Sequence, residues 1–331
     1  MARGNLSTLR KVVIPLGFVV MGFATLSTPV AAQHFPSRSI RLILPYNPGG
    51  IVDFAGRVLA KELTASLGET VIAENKAGAG GIVGVNEVAH DAPDGYNLVL
   101  IDPSIVINQT LHKSMPYDVF KDLVTISIVC SSPHVLVVSP QLGITTYAQL
   151  VAYGKANPGK LNFGSAGVGT TPHLAGLLWT QRTRITATHV PYKGVGPSFV
   201  DLMSGKIQME FSSIAGALPF TSKGSVVPLA TTGLKRSPVY PDLPTVAEEG
   251  LPGFDVEVWL GLYGSAGMPK DVLNKLNDAV GRALQEDEVK TAFGKFSIEP
   301  RGTSLADGAA FTRAEYEKWK NVIVDGHITL D

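Results

Sequence analysis

This chain of 331 residues contains one cysteine, carries no excess of either charge, and has no long apolar run beyond its N-terminal region. A single thiol cannot form an intramolecular disulfide, so the fold must be stabilised by a buried core, which a chain of this length can build. Cys130 ends the apolar run Ile126–Cys130. We interpret it as a small buried strand residue and not as a nucleophile, because no activating neighbour is evident.

The sequence also lacks a basic stripe and any paired histidine spacing. Its 28 Lys and Arg residues balance 28 Asp and Glu residues, so no surface is predicted to hold a phosphate backbone, and we exclude nucleic acid as a partner. The seven histidines show no H-E-x-x-H or similar spacing, so no metal is expected. Gly78–Gly84 departs from the dinucleotide fingerprint in spacing and follows the second strand, so we predict no cofactor.

The N-terminus predicts export. Arg3, Arg10 and Lys11 precede the apolar run Val12–Leu26, which is shorter than a comfortable membrane span. Small residues follow, and we predict a secretory signal peptide cleaved after Ala32, with an uncleaved anchor as the alternative. Cleavage leaves a mature chain with three fewer basic than acidic residues.

Strand-like and helix-like segments alternate along most of the chain, which predicts an α/β fold with largely parallel sheets. We predict strands at 40–44, 71–73, 98–101, 126–138, 161–163, 187–191, 207–211, 227–231 and 256–264. We predict helices at 81–89, 147–156, 173–180, 197–204, 270–285 and 305–323, after a first helix that ends at Gly68.

The domain organisation follows from two of these segments. Residues 126–138 are long enough to leave one lobe and enter another, and residues 256–264 could carry the chain back. The last two helices have no strands of their own, so we expect them to return to the first lobe. We therefore predict two lobes with a hinge of two crossing strands and a ligand cleft between them: residues 33–130 and 262–331 in lobe 1, and residues 131–261 in lobe 2, after a signal peptide of residues 1–32.

The first candidate loop is Pro45–Asp53, between a predicted strand and a helix. The adjacent Gly49 and Gly50 let the backbone approach a ligand, and the following helix begins with unpaired N–H groups. Together with the helix dipole, these groups favour an anion. The alternative is a tight turn in which Asp53 caps the helix.

The second candidate loop, Gly164–Pro172, also precedes a helix and combines glycines with hydroxyl side chains. Two such loops in successive lobes predict two walls of one anion site. As an alternative, Ser165 could be the nucleophile of a serine hydrolase, with His173 and His327 as available bases. The nucleophile elbow would, however, require glycine where this chain has Phe163.

Many short motifs in one order give the chain a family resemblance. They include Pro48-Gly49-Gly50 with Asp53, Ala92-Pro93-Asp94-Gly95-Tyr96, Pro158-Gly159-Lys160-Leu161-Asn162, Ser165-Ala166-Gly167-Val168-Gly169-Thr170, His189-Val190-Pro191-Tyr192-Lys193-Gly194 and Leu243-Pro244-Thr245-Val246-Ala247-Glu248. Over residues 35–331, the chain resembles the solute receptors of tripartite tricarboxylate transporters, which are called Bug proteins.

The resemblance implies a two-lobed periplasmic binding protein fold and no catalytic activity. It implies that a monomeric receptor captures a small organic carboxylate (a dicarboxylate, a tricarboxylate or an aromatic carboxylate) and delivers it to a two-component integral membrane permease. A sensory carboxylate receptor that feeds a signalling partner remains an alternative. The expected ligand-binding residues are Tyr46, Pro48, Gly49, Gly50, Asp53, Ser165, Ala166, Gly167, Gly169, Thr170, Thr171, His173 and Ser212.

Two departures from the family pattern bear on the ligand. Family members usually have Ser or Thr before the loop aspartate, where this chain has Ile51 and Val52. Many also carry an aspartate after the strand at 207–211, where this chain has Ser212 and Ser213. Both departures favour a carboxylate with an apolar body over an amino acid.

Overall fold

The computed structural model describes residues 35–192 and 194–328. The predicted signal peptide and its cleavage after Ala32 lie outside these residues. The strands are β1 (Ile40–Leu44), β2 (Val71–Asn75), β3 (Asn97–Ile101), β4 (Leu123–Val138), β5 (Leu161–Ser165), β6 (Ala187–Pro191), β7 (Met209–Ser213), β8 (Val227–Thr231), β9 (Glu257–Ser265) and β10 (Glu299–Pro300). The helices are α1 (Ile51–Leu67), α2 (Ile82–Ala89), α3 (Ser104–Leu111), α4 (Tyr147–Ala156), α5 (Thr171–Thr183), α6 (Val195–Ser204), α7 (Ile214–Thr221), α8 (Lys270–Ala283), α9 (Asp287–Gly294) and α10 (Leu305–Asp325).

The first sheet is built on a β-α-β-α-β unit, as predicted. β1 lies between β2 and β3 and pairs in parallel with both, with Leu42 opposite Ala73 on one side and Leu98 on the other. Helices cover this sheet on both faces, which is why β1 and β3 are almost entirely apolar and buried. Gly68 ends α1 in the left-handed conformation, the usual role of glycine at this position.

β4 belongs to both sheets. Its first part, Leu123 to Pro133, pairs antiparallel with β9, and its second part, His134 to Val138, pairs antiparallel with β7 and β8. The predicted crossing strand is therefore confirmed as one continuous element. The chain returns at Val256, whose N–H donates to the Thr232 carbonyl just before β9 joins β3 and β4.

The second sheet repeats the parallel arrangement of the first. β5 pairs in parallel with both β6 and β7, and β7 joins this group to β4. The carboxyl ends of β5, β6 and β7 therefore lie at one edge of the sheet, as do those of β1, β2 and β3 in the first sheet.

The C-terminal helices bury the apolar faces that their sequences predict. In α8, Leu276 and Val280 pack into the core that contains Leu42 of β1. In α10, Trp319 and Ile323 are buried in the core that extends into the second sheet. Helix α8 thus returns to the first sheet as expected, whereas α10 contacts both α3 and α5.

Three short helices, α3, α7 and α9, are absent from the sequence prediction. Each has eight residues, too few for a clear apolar period, and α7 also contains Pro219. Helix α2 is equally short, but its glycine-rich entry marks its start in the sequence. Across the described part of the chain, none of the helices combines the length and the hydropathy needed to cross a bilayer.

Candidate functional site

A cavity of about 480 Å³ lies where the loops of the two sheets meet, a volume suited to a small molecule. We call it the first cavity. It is lined by Tyr46, Ile51, Ala79, Gly80, Asp102, Ser104, Ile107, Asn108, His112, His134, Ala166, Val168, Gly169, Thr170, Thr171, Pro172, Ser213 and Val258. Many of these residues follow the carboxyl ends of parallel strands, where α/β sheets usually bind ligands.

A second cavity of about 640 Å³ adjoins the first, and Ile51 and Ser213 line both. Its other lining residues are Gly49, Gly50, Asp53, Phe54, Arg57, Val58, Ala215, Gly216, Phe296 and Ile298.

The two cavities divide the predicted site residues, all of which the structure describes. Tyr46, Ala166, Gly169, Thr170 and Thr171 line the first cavity. The second cavity takes Gly49, Gly50 and Asp53. Neither cavity is lined by Pro48, Ser165, Gly167, His173 or Ser212.

Helix N-termini surround the first cavity. Among the described residues, α1, α3 and α5 each contribute their first residue to its wall, and Ser213, the N-cap of α7, contributes to the same wall. Unpaired N–H groups and the helix dipole give the ends of α1 and α5 a partial positive charge, whereas the first N–H of α3 already donates to Asp102 Oδ1 at 3.1 Å. The cavity is therefore electrostatically suited to an anion.

Asp53 is held by protein groups and does not project freely into the first cavity. Its Oδ2 accepts from the Gly49 N–H at 3.1 Å, and its Oδ1 accepts from Arg57 Nε and Asn75 Nδ2, each at 3.0 Å. The hydrogen bond from Arg57 lowers the pKa of Asp53. Asp53 is the third residue of α1 and lies in its first turn. The N-cap is Gly50, which has no side-chain cap, so Asp53 fixes the loop without being the N-cap residue.

Tyr46 and Asp102 form the first-sheet wall. The Tyr46 hydroxyl donates to Asp102 Oδ1 at 2.7 Å and lies 2.6 Å from Ser104 Oγ. Burial, and secondarily the Asp102 carboxylate, raise the pKa of Tyr46 well above its usual value. Sequence reasoning missed Asp102 and Ser104 because it considered only glycine-rich loops, although both follow the carboxyl end of β3.

Ser165 holds the second loop together. Its Oγ donates to the Gly167 carbonyl at 2.9 Å, accepts from the Gly167 N–H at 3.1 Å, and lies 2.7 Å from Nε2 of His189. The histidine beside Ser165 is thus His189, and not His173 or His327. Because Ser165 is fully buried, its hydroxyl is shielded from a substrate. This geometry does not favour a hydrolase.

A stacked histidine pair supports the same loop from behind. The rings of His173 and His189 lie 3.8 Å apart between centroids, and His173 Nδ1 accepts from the Gly169 N–H at 3.1 Å. Burial, and then the neighbouring His189, lower the pKa of His173 to about 3, and burial lowers that of His189 to about 4. Both rings are neutral at pH 7, so they fix the loop without contributing charge.

Glu210 lies beneath the start of this loop. It is fully buried in β7, and its Oε2 would be only 2.8 Å from a Cβ placed on Gly164. Burial raises the pKa of Glu210 to about 8, against a smaller opposing effect of the Ser198 hydroxyl. The side chain is therefore mostly protonated at pH 7.

Glu210 should make the protein less stable as pH rises. Since its folded pKa exceeds its unfolded value, its contribution is complete below pH 4.5 and is lost up to about pH 8. The depressed pKa values of His134, His173 and His189 act in the opposite direction, and most of their effect lies below about pH 7. Between pH 6.5 and 8, we therefore expect the free energy of unfolding of the wild type to fall by about 2 kcal/mol relative to that of Glu210→Gln, in which only the histidines act. Urea unfolding of both proteins at both pH values measures this difference, and an equal change in the two proteins would contradict it.

The described residues contain no candidate metal site. Within residues 35–192 and 194–328, no three or more His, Cys, Asp or Glu side chains are placed to hold an ion.

The two sheets, their crossing strands and their shared cavity define a binding protein of the periplasmic type. The chain belongs to the tripartite tricarboxylate transporter receptor family: the family model "Tripartite tricarboxylate transporter family receptor" matches residues 55–327. Members of this family are periplasmic solute-binding receptors, so the resemblance to Bug proteins and the predicted fold class are confirmed.

Individual relatives agree with this assignment. The chain is 34% identical to BugT of Bordetella pertussis, over 92% of this chain and 94% of that protein. A structure of an R. palustris protein with adipate is 30% identical with a TM-score of 0.79, and covers 89% of this chain and 99% of its own. MatC of Rhodopseudomonas palustris, solved with bound malate, is 30% identical to this chain with a TM-score of 0.74. The match covers 87% of this chain and 100% of MatC.

Proposed function

We propose that this chain is a periplasmic receptor that binds a small organic carboxylate in the first cavity. The observation that carries the proposal is the convergence of helix N-termini from both sheets on that cavity. Backbone N–H groups there can receive a carboxylate without a charged partner, because the dipoles supply the complementary field. Relatives solved with adipate and with malate support the same class of ligand.

The two loops and the crossing strands provide a means of capture. In this proposal, the lobes of residues 33–130 with 262–331 and of residues 131–261 close on the ligand by bending where β4 and the start of β9 cross. The closed monomer then delivers the ligand to a two-component membrane permease. Membership of the receptor family supports this role and export to the periplasm. Cleavage of the signal peptide after Ala32 is a further part of the proposal.

We also propose that the protein is not an enzyme. The buried Ser165 hydroxyl is engaged by Gly167 and His189, and this supports a structural role in the loop. Activated esters such as p-nitrophenyl acetate should therefore be turned over equally, and only at background rates, by the wild type and Ser165→Ala. Turnover that disappears in Ser165→Ala would contradict this part of the proposal.

Binding is tested by thermal unfolding of the protein purified from the periplasm. A carboxylate at about 100 times its dissociation constant should stabilise the protein by roughly 2.7 kcal/mol. The panel contains dicarboxylates, tricarboxylates and aromatic carboxylates, with amides of the same acids as uncharged controls. The proposed function is wrong if every carboxylate leaves the melting temperature unchanged.

A further inference from the structure

His134 lies in β4 at the point where this strand passes from one sheet to the other. Pro133 is the last residue paired with β9, and His134 is paired with Ser213 of β7. Both members of this last pair line the first cavity. His134 thus lies in the wall of the first cavity although only 1% of the residue is exposed.

Neither ring nitrogen of His134 has a hydrogen-bond partner within residues 35–192 and 194–328. Burial lowers the pKa of His134 to about 4, against a smaller effect of the Ser212 backbone, which falls short of hydrogen-bonding geometry. The ring is therefore neutral and offers one N–H donor and one acceptor. Buried polar groups are almost always satisfied, so an unsatisfied ring in the wall of a cavity points to a partner inside that cavity.

The surroundings of His134 indicate the chemistry of this partner. Ile107 and Val258 line the same cavity, which is therefore partly apolar. The carboxylate of Asp102 is a further lining group, and it would repel a second ionised carboxylate on the ligand. A hydroxyl or carbonyl oxygen can accept from the imidazole without this penalty.

We propose that His134 is a specificity-determining residue that hydrogen-bonds an uncharged hydroxyl or carbonyl group on the apolar body of the carboxylate ligand. This inference rests on the proposed function. The N–H groups at the helix N-termini bind the carboxylate of the ligand, and the uncharged group of the same ligand accepts a hydrogen bond from His134. It assigns the ligand class as carboxylates with one such polar group.

Two matched series of probes test the assignment by calorimetric titration of the full-length mature protein. The aliphatic series is hexanoate, 6-hydroxyhexanoate and adipate, which differ only at the end away from the common carboxylate. The aromatic series is benzoate, 4-hydroxybenzoate and terephthalate. In at least one series, we expect the hydroxyl member to bind wild type at least tenfold more tightly than the other two members.

Two variants separate recognition from structure. His134→Phe should abolish the preference for the hydroxyl member and raise the melting temperature of the free protein by a few degrees, because two unsatisfied polar atoms are removed. His134→Gln keeps a donor and an acceptor and should retain at least a threefold preference. His90→Phe, outside both cavities, is the control and should bind like wild type.

The outcomes distinguish the inference from the function on which it rests. The inference is overturned if the preference for the hydroxyl member persists in His134→Phe. It is also overturned if wild type binds members of either series without preferring the hydroxyl member. Both outcomes leave the receptor function intact. Tightest binding of adipate or terephthalate, weakened in His134→Phe, overturns the assignment of an uncharged group. If no member of either series binds wild type although another carboxylate of the thermal panel does, the inference is wrong and the receptor function stands; only the failure of the whole panel overturns the proposed function itself.

Discussion

Ser213→Asp is expected to weaken carboxylate binding by at least about 100-fold while leaving the fold intact. Ser213 is the N-cap of α7, where its Oγ accepts from the Gly216 N–H at 3.2 Å, and aspartate is an equally good N-cap residue. The new carboxylate would lie in the wall shared by both cavities. At about 5 Å and an effective dielectric constant of about 20, two like charges repel by roughly 3 kcal/mol, which corresponds to about 100-fold in affinity.

Ser213→Asn is the matched control. Asparagine also caps helices well but adds no charge, so carboxylate affinity should stay within about threefold of wild type. In titrations with the tightest carboxylate of the thermal panel, equal losses in the two variants would show that side-chain size, and not charge, is responsible. Ser213→Asp should also gain affinity for amino acids, since an aspartate at the end of β7 can pair with an ammonium group.

Strands β1 to β9 and the longer helices could be predicted because their sequence patterns are strong and local, whereas the two-residue β10 could not. The crossing strand β4 is a long segment of mostly apolar residues, and the predicted bounds of α4, Tyr147–Ala156, are those that the structure shows. Helix α7 could not be predicted in the same way. Pro219 suggests a break, but it lies in the second half of an eight-residue helix that follows β7 directly and is capped by Ser213.

The candidate site was predictable as two loops but not as a set of side chains. Glycines between a strand and a helix mark places where backbone N–H groups point outward, and both loops do adjoin cavities. The hydroxyls of Ser165 and Thr170, however, bond to Gly167 within their own loop. Short hydroxyl side chains readily bond to nearby backbone, so their presence in a loop does not show that they face a ligand.

Tertiary placement explains the residues that the sequence did not reveal. His134 follows Pro133 in a strand that is otherwise largely apolar, and this polar interruption is the one local signal it carries. Asp102 and Ser213 line the same cavity as His134 although they are distant from it in sequence. They do so because the carboxyl ends of β3 and β7 both adjoin the first cavity. Sequence spacing cannot predict such a convergence without the order of strands in the sheets.

Glu315 joins the C-terminal helix to a crossing strand, and its removal should destabilise the whole fold. Its Oε2 accepts from Trp259 Nε1 of β9 at 2.8 Å and from Trp319 Nε1 of α10 at 3.0 Å. Both indoles are almost completely buried, as is Glu315 itself, and Lys318 forms an ion pair with its other oxygen. Glu315→Leu would leave two buried N–H donors unsatisfied at a cost of about 1–3 kcal/mol each, so we expect a loss of about 3–5 kcal/mol in the free energy of unfolding.

Urea unfolding followed by tryptophan fluorescence measures this loss, because two of the three tryptophans contact Glu315. Glu315→Gln keeps an acceptor oxygen for the indoles and should recover more than half of the lost stability. Glu317→Leu replaces an exposed glutamate on the same helix and should change stability by less than about 0.5 kcal/mol. If Glu315→Gln is as unstable as Glu315→Leu, the ion pair with Lys318, and not the shared acceptor, holds α10 against β9.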